Sequence, residues 1–192
     1  MKILFISAAN KNFDGRTRAL LDVLNSFAEV IDITATQEAD FAENSSYYVN
    51  YKSYKEFIRK TVELGKKHRD VDFIFADNRK ATVPVLKLNK LLKPKAVIYD
   101  ARELYLQRET HGFASKVGCI FESRMISKAV LTICANEERK QVMEREYNKI
   151  GMILVFENFR KLSYSKDFRE EAMNHKFNNI LNEDAYSCFR FD

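Results

Sequence analysis

Six short apolar runs separated by segments of helical period constrain this chain more than any other feature. The runs are Ile3–Ser7, Val30–Ile33, Val71–Ala76, Ala96–Tyr99, Ala129–Cys134 and Met152–Phe156. Each has the length of one buried strand. Between the first two, Leu20, Val23, Leu24 and Phe27 recur at i, i+3, i+4 and i+7, which predicts an amphipathic helix over Arg16–Ala28. Tyr54, Ile58 and Thr61 mark one face of a second helix from about Tyr51 to His68. Thr82 reads as an N-cap, with Pro84 in the first turn and Leu88, Leu91 and Leu92 facing inward. Val117, Phe121 and Met125 repeat every four residues, and Asn136 caps a helix carrying Val142, Met143 and Tyr147. Strand and helix alternating in this way predict an α/β fold, a doubly wound three-layer sandwich. Its parallel sheet of about six strands is expected in the order 3-2-1-4-5-6.

Past Phe156 the pattern changes. Ser165–Leu181 reads as one more helix, and Tyr186–Asp192 alternates like a strand and stops. This divides the chain into residues 1–158, one doubly wound domain, and residues 159–192, a helix and strand-like tail leading towards a second unit. Lys2 is followed by Ile3-Leu4-Phe5-Ile6, strand length only, so neither a leader nor a membrane-crossing helix is expected. Cys119, Cys134 and Cys188 are odd in number and widely spaced. They argue for a reducing cytoplasm and against a disulfide framework or a metal site, with Cys134 a small core residue.

The net charge of +5 can be located. Seven Lys and Arg residues lie between Tyr51 and Arg69 against Glu56 and Glu63, and the rest of the chain is balanced. That argues against a general affinity for nucleic acid. A basic helix interleaved with Tyr47, Tyr48, Tyr51, Tyr54 and Phe57 is either a solvated face or a contact with an anionic membrane surface.

The chemistry-bearing residues fall where strands end. Ala96–Tyr99 breaks into Asp100, Arg102 and Glu103, three charges in four residues. In open α/β sheets ligands bind at the carboxyl ends of strands. Asp100 and Glu103 are the acids or bases available there, and Arg102 is a partner for an anion or hydroxyl. His111, in the polar loop Gln107–Ser115, has the proton affinity for acid–base work near neutral pH. Asp77, Asn78 and Arg79 end the third strand on the same rim, Asn136, Glu137 and Glu138 the fifth, and Glu157 and Asn158 the sixth. The first strand leads through Ala8–Asp14 into Gly15-Arg16-Thr17-Arg18. A helix opening on glycine and flanked by arginines can cradle a phosphate or form a plain turn.

Several of these segments resemble the N-terminal domain of retaining GT-B-fold glycosyltransferases, a group of bacterial enzymes that build polysaccharides and lipid-linked glycans. The matching stretches are MKILFIS, the glycine entering the first helix, VIYDARELY, FESRMISKAVLTICANEE and VFEN. They run in the family's order over Met1–Asn158. The resemblance implies a Rossmann-like acceptor-side domain whose partners are a nucleotide-sugar donor, a glycan or lipid-linked acceptor and a missing C-terminal domain. It implies Gly15 and Arg16 near the donor diphosphate, with Asp100, Glu103 and His111 as catalytic candidates and Arg102, Asp77 and Asn136 on the acceptor side. It implies no cofactor or metal, and a cytoplasmic place, free or peripheral on the inner face of the membrane. Two departures stand out. Many relatives have two adjacent glycines where this chain has Asp14-Gly15, and many have histidine where it has Arg102. Arginine stays protonated and is a poor base, so proton transfer falls to Asp100, Glu103, His111 or the departing phosphate. The alternative is a complete small α/β module of flavodoxin or receiver type. Against it stand a first loop without an acidic pair or a run of Ser and Thr, and one strand too many.

Overall fold

The structure of the chain, a computed structural model, describes residues 1–104, 106 and 111–156. All of these lie within the unit Met1–Asn158. The expected C-terminal helix and tail, Glu157, Asn158, Cys188 and residues 107–110 of the Gln107–Ser115 loop fall outside the described residues.

In chain order the elements are β1 (Lys2–Ser7), α1 (Gly15–Asn25), β2 (Glu29–Ala35), β3 (Phe41–Glu43), β4 (Ser46–Val49), α2 (Tyr54–Gly65) and β5 (Phe73–Asp77). A single 3-10 turn (Arg79–Ala81) then leads into α3 (Thr82–Leu92), β6 (Ala96–Ala101), α4 (Phe113–Ile126), β7 (Leu131–Cys134), α5 (Glu137–Glu146) and β8 (Met152–Val155). The sheet has eight strands in the order β3-β4-β2-β1-β5-β6-β7-β8. Every pairing is parallel except that of β3 with β4. This is the expected α/β architecture.

The winding order holds, but the third strand is a different segment. Counting parallel strands alone, the order is 3-2-1-4-5-6-7, and the third is Ser46–Val49. The Val71–Ala76 run, expected beyond β2, forms β5 and lies beside β1 on the other side. The reversal of winding therefore falls between β1 and β5, where the sequence placed it between β1 and the Ala96–Tyr99 strand. Two strands outside β1 also separate this order from the flavodoxin arrangement, which has one.

Alternating residues of β1 feed two cores, as the pleat requires. Leu4 and Ile6 join Phe57, Val85, Leu88, Met125 and Met143 beneath α2 to α5. Ile3 and Phe5 join Leu20, Leu21, Leu24 and Phe75 beneath α1. The buried face of α1 is Thr17, Leu20, Leu21 and Leu24. Val23 and Phe27, assigned to that face from spacing, are 50% and 57% exposed. The stripe is rotated towards Leu21, and the helix stops at Asn25 before Phe27 can join it.

Tyr47 and Tyr48 belong to β4 and not to the basic helix. That helix begins at Tyr54, after Ser53 accepts a bond from the Glu56 amide and Glu56 accepts one from the Lys52 amide, a reciprocal cap. Its inner face is Phe57, Thr61 and Gly65. Thr82 is the first helical residue of α3 and not its cap, its hydroxyl donating to the Arg79 carbonyl. Asn136 does cap α5, accepting from the Arg139 amide at 2.9 Å. Gly65 is needed where α2 meets α3, because a Cβ there would collide with the fully buried Leu88 side chain.

Candidate active site

Parallel register sets the geometry of the rim. Ser7 of β1 faces Asp77 of β5, and Asp77 faces Asp100 of β6. Two aspartates are thus neighbours at the carboxyl edge, and both are fully buried. Burying two adjacent carboxylates is costly unless each meets a cation with matched hydrogen bonds.

Two arginines supply them. Arg16, from the first turn of α1, donates to Asp100 through Nε at 2.8 Å and Nη2 at 2.6 Å. Its Nη1 donates to the Phe156 carbonyl at 2.8 Å. Arg102, two residues beyond Asp100, donates to Asp77 through Nε and Nη2, both at 2.6 Å. Its Nη1 reaches both oxygens of Asp14 at 2.8 Å. Fork-to-fork contacts of this kind fix orientation as well as distance.

Thr17 and Asp14 complete the lattice from α1. Asp14 caps that helix, accepting from the Thr17 amide at 2.7 Å, while the Thr17 hydroxyl donates to Asp77 at 2.9 Å and accepts from Arg102. Arg139 of α5 donates to the Arg102 carbonyl. Burial pushes the Asp77 carboxyl up, against the pull of Arg102. Burial works the same way on Asp14, but Arg102 and the Thr17 amide hold it below the usual carboxylate range. Burial also opposes the charge on Arg102, which Asp77 and Asp14 hold more firmly protonated than in water.

The structure brings Gly15, Arg16, Asp77, Asp100, Arg102 and Glu103 to one rim, but it sorts them by access. Asp100 and Asp77 are sealed, and Arg16 is buried with its guanidinium engaged by Asp100 and Phe156. These three tie the loops of the rim together, and its exposed groups are others. Gly15 is exposed, with open space where a Cβ would stand. Glu103 and His111 are exposed, and Arg102 is half-buried. Asn136 is half-buried with its side-chain oxygen engaged in capping α5. The crevice expected between β1 and the Ala96–Tyr99 strand is filled by β5, whose Asp77 ties the two together.

Sequence reasoning missed Asp14, Thr17 and Arg139. The signal for the first was present: aspartate three residues before the donating amide is a common cap, though alone it gives no hint of Arg102. Two large aromatics also stand out on this rim, Phe13 before α1 and Phe113 opening α4, at 87% and 85% exposed. Nearby, Arg79 crosses α4 where Gly118 has no side chain to block it, and donates to the Ser115 carbonyl. Among the described residues no three His, Cys, Asp or Glu side chains gather as a metal-ligand set. None of the described helices is long and apolar enough to cross a membrane.

No protein-family profile and no curated protein matches the chain. Solved structures do match. Sucrose-phosphate synthase from Thermosynechococcus elongatus superposes with a TM-score of 0.67 at 11% identity, covering 93% of this chain and 53% of that one. HepE from Anabaena, solved in complex with UDP, gives 0.55 at 16% identity over 83% of this chain and 44% of its own. S. aureus MnaA, also solved with UDP, gives 0.59 at 11% identity over 88% and 50%. The chain spans about half the length of these proteins. At such identities the likeness is one of fold, the Rossmann-like fold of GT-B glycosyltransferases and related epimerases.

Proposed function

We propose that this chain is the acceptor-side half of a glycosyltransferase, moving a sugar from a nucleotide-sugar donor to a glycan or lipid-linked acceptor, and that it is inactive alone. The observation that carries this reading is the Arg16–Asp100 and Arg102–Asp77–Asp14 lattice, which pins the loops after β1, β5 and β6 together at the carboxyl edge of the sheet. Such rigidity is what a site needs to hold a reacting hydroxyl in place. The motifs read from the sequence point to the retaining group, and the matched proteins solved with UDP support a uridine-nucleotide donor.

Transfer requires a developing charge on the departing diphosphate to be stabilised and an acceptor hydroxyl to lose its proton. The Gly15 and Arg16 amides open α1 and have no intrahelical acceptors, so they are the groups on this chain suited to a phosphate oxygen. Glu103 and His111 are the exposed groups suited to take the proton. Asp100 is a positioning residue in this scheme: it holds Arg16, and through it the start of α1. The flavodoxin-like alternative predicts flavin binding at the same loops.

The test is an NMR titration of the chain with UDP-glucose, UDP-N-acetylglucosamine, flavin mononucleotide and a panel of glycans. Glycans are expected to shift the amides of Glu103 and His111, and the UDP-sugars, more weakly, those of Gly15 and Arg16. Shifts confined to flavin, or no response at those amides, would refute the reading.

A further inference from the structure

The face of the sheet that carries α1 changes character from one side of that helix to the other. Over β1 and β5 it is apolar, with Phe5 and Phe75 packed beneath Leu20, Leu21 and Leu24. On β2 the residues alternating towards this face are Val30, Asp32 and Thr34, and Ser46 and Tyr48 of β4 stand beside the last two. Ile31, Ile33 and Val49, on the opposite face, are apolar and buried. The polar stretch thus belongs to one face alone, and α1 is the one described helix whose side chains join the core there.

A groove of about 460 Å³ opens between α1 and these strands. That lies within the usual range of small-ligand sites, about 300–1,000 Å³. Arg18, Asp22 and Asn25 form its wall at i, i+4 and i+7 of α1, a run of about 10 Å. Leu21, Ala28 and Val30 line it with an apolar strip, and Asp32 and Ser46 with a polar one. Asp32 is buried, and Lys11 donates to it at 2.8 Å and to the Ser46 hydroxyl at 2.6 Å. Ser46 in turn donates to Asp32 at 2.6 Å. Lys11 is thus committed within the lining, and Glu29 is engaged by Lys2 at 3.2 Å. Arg18 gives one N–H to the Asn12 carbonyl and keeps the rest of its fork. The exposed groups at the opening are then Arg18 and Asp22, one of each sign, with the amides of Asn12 and Asn25.

An anionic ligand would meet Asp22, Glu29 and Asp32 here, and a cationic one Lys11 and Arg18, so either charge is opposed. A neutral ligand with hydroxyls at its edges and C–H groups on its faces finds a partner at every point. Carboxylate, amide and guanidinium groups serve the hydroxyls, and the strip from Leu21 to Val30 serves the ring carbons. Among the described residues lining the groove there is no aromatic to stack a nucleobase. We propose that this groove is a separate ligand site, on the face of the sheet and not at its carboxyl edge, which binds a neutral saccharide of about two rings. The proposal is independent of the sugar-transfer reading.

The test is an NMR titration of the chain with maltotriose, cellotriose and chitotriose, beside trigalacturonate as an anion and alanylglutamine as a zwitterion. At least one neutral trisaccharide is expected to shift the amides of Asp22, Asn25 and Asp32, with an affinity that salt leaves unchanged. Asp22→Ala with Asn25→Ala should weaken that affinity about tenfold, through the hydrogen bonds both side chains lose. Asp22→Asn keeps a side-chain oxygen and should weaken it less than about threefold. Lys87→Ala with Lys90→Ala, on α3 across the sheet, is the control and should change it less than about twofold. All four of these side chains are exposed, so unchanged melting temperatures are expected throughout. A larger shift from trigalacturonate or alanylglutamine, no shift from any of the three sugars, or full affinity in the Asp22 and Asn25 double variant would each overturn the proposal. Shifts at Glu103 and His111 without shifts in the groove would overturn it and leave the transfer reading standing, and shifts in the groove alone would do the reverse.

Discussion

Glu122 offers the sharpest quantitative test of the packing beneath α4. Its side chain is buried, with one oxygen accepting from the Tyr99 hydroxyl at 2.6 Å and the other 3.8 Å from Arg79 Nε. Burial raises its carboxyl to about 7 from an ordinary 4.5, and Tyr99 and Arg79 offset only part of that. In the unfolded chain the same group ionises near its ordinary value. Between those two values the folded state holds a proton that the unfolded state has released, so stability falls as pH rises. The contribution is complete below pH 4.5 and gone above about pH 7. A gap of 2.5 units at about 1.4 kcal/mol each corresponds to about 3 kcal/mol, a sizeable fraction of a domain's total stability. Glu122→Gln keeps an acceptor for Tyr99 and cannot ionise. Urea denaturation of parent and variant across this range should give similar midpoints in acid and a variant more stable by about 3 kcal/mol in mild alkali. Parallel pH profiles would mean that Glu122 is solvated, and the reasoning about its burial would be wrong.

Three further outcomes follow from the rim and the helix contact. Asp100→Asn leaves Arg16 buried beside a neutral partner and should cost about 3 kcal/mol by chemical denaturation, whereas Arg16→Met with Asp100→Leu should recover most of it; a single variant as stable as the parent would remove the lattice from the account. Asp14, held below the usual carboxylate range, contributes stability that is present above its ordinary value of 3.8 and lost as pH falls through the depressed one. The parent's advantage over Asp14→Asn should therefore vanish in strong acid, as read from acid unfolding curves. Gly65→Ala should destabilise by about 1–3 kcal/mol through collision with Leu88, with Leu88→Val restoring part of the thermal midpoint.

What could be read in advance was whatever depends on local order. The run Ala96–Tyr99 is apolar on both faces because β6 is central, and its charged ending marks the rim regardless of partners. Ser46–Val49 escaped because Tyr47 and Tyr48 sit five and four residues before Lys52 and mimic the aromatic face of a basic helix. Only pairing with β2 makes it a strand. That pairing is helped by Lys11, which bonds Asp32 at 2.8 Å and Ser46 at 2.6 Å across three elements. The fate of Asp100 was hidden for the same reason. A charge ending a strand looks alike in sequence whether water or an arginine 84 residues away receives it.

Arg16 has one consequence beyond neutralising Asp100. The guanidinium that grips this carboxylate also grips the carbonyl of Phe156, just past the end of β8. Load applied to the chain after that point is therefore passed to the first turn of α1 and the floor of the rim, over a path of two hydrogen-bonded groups. Arg16 acts as a rocker arm between the exit of the sheet and the loop that opens on Gly15. Cutting it at either end would leave the fold's elements in place while releasing the mechanical link between them.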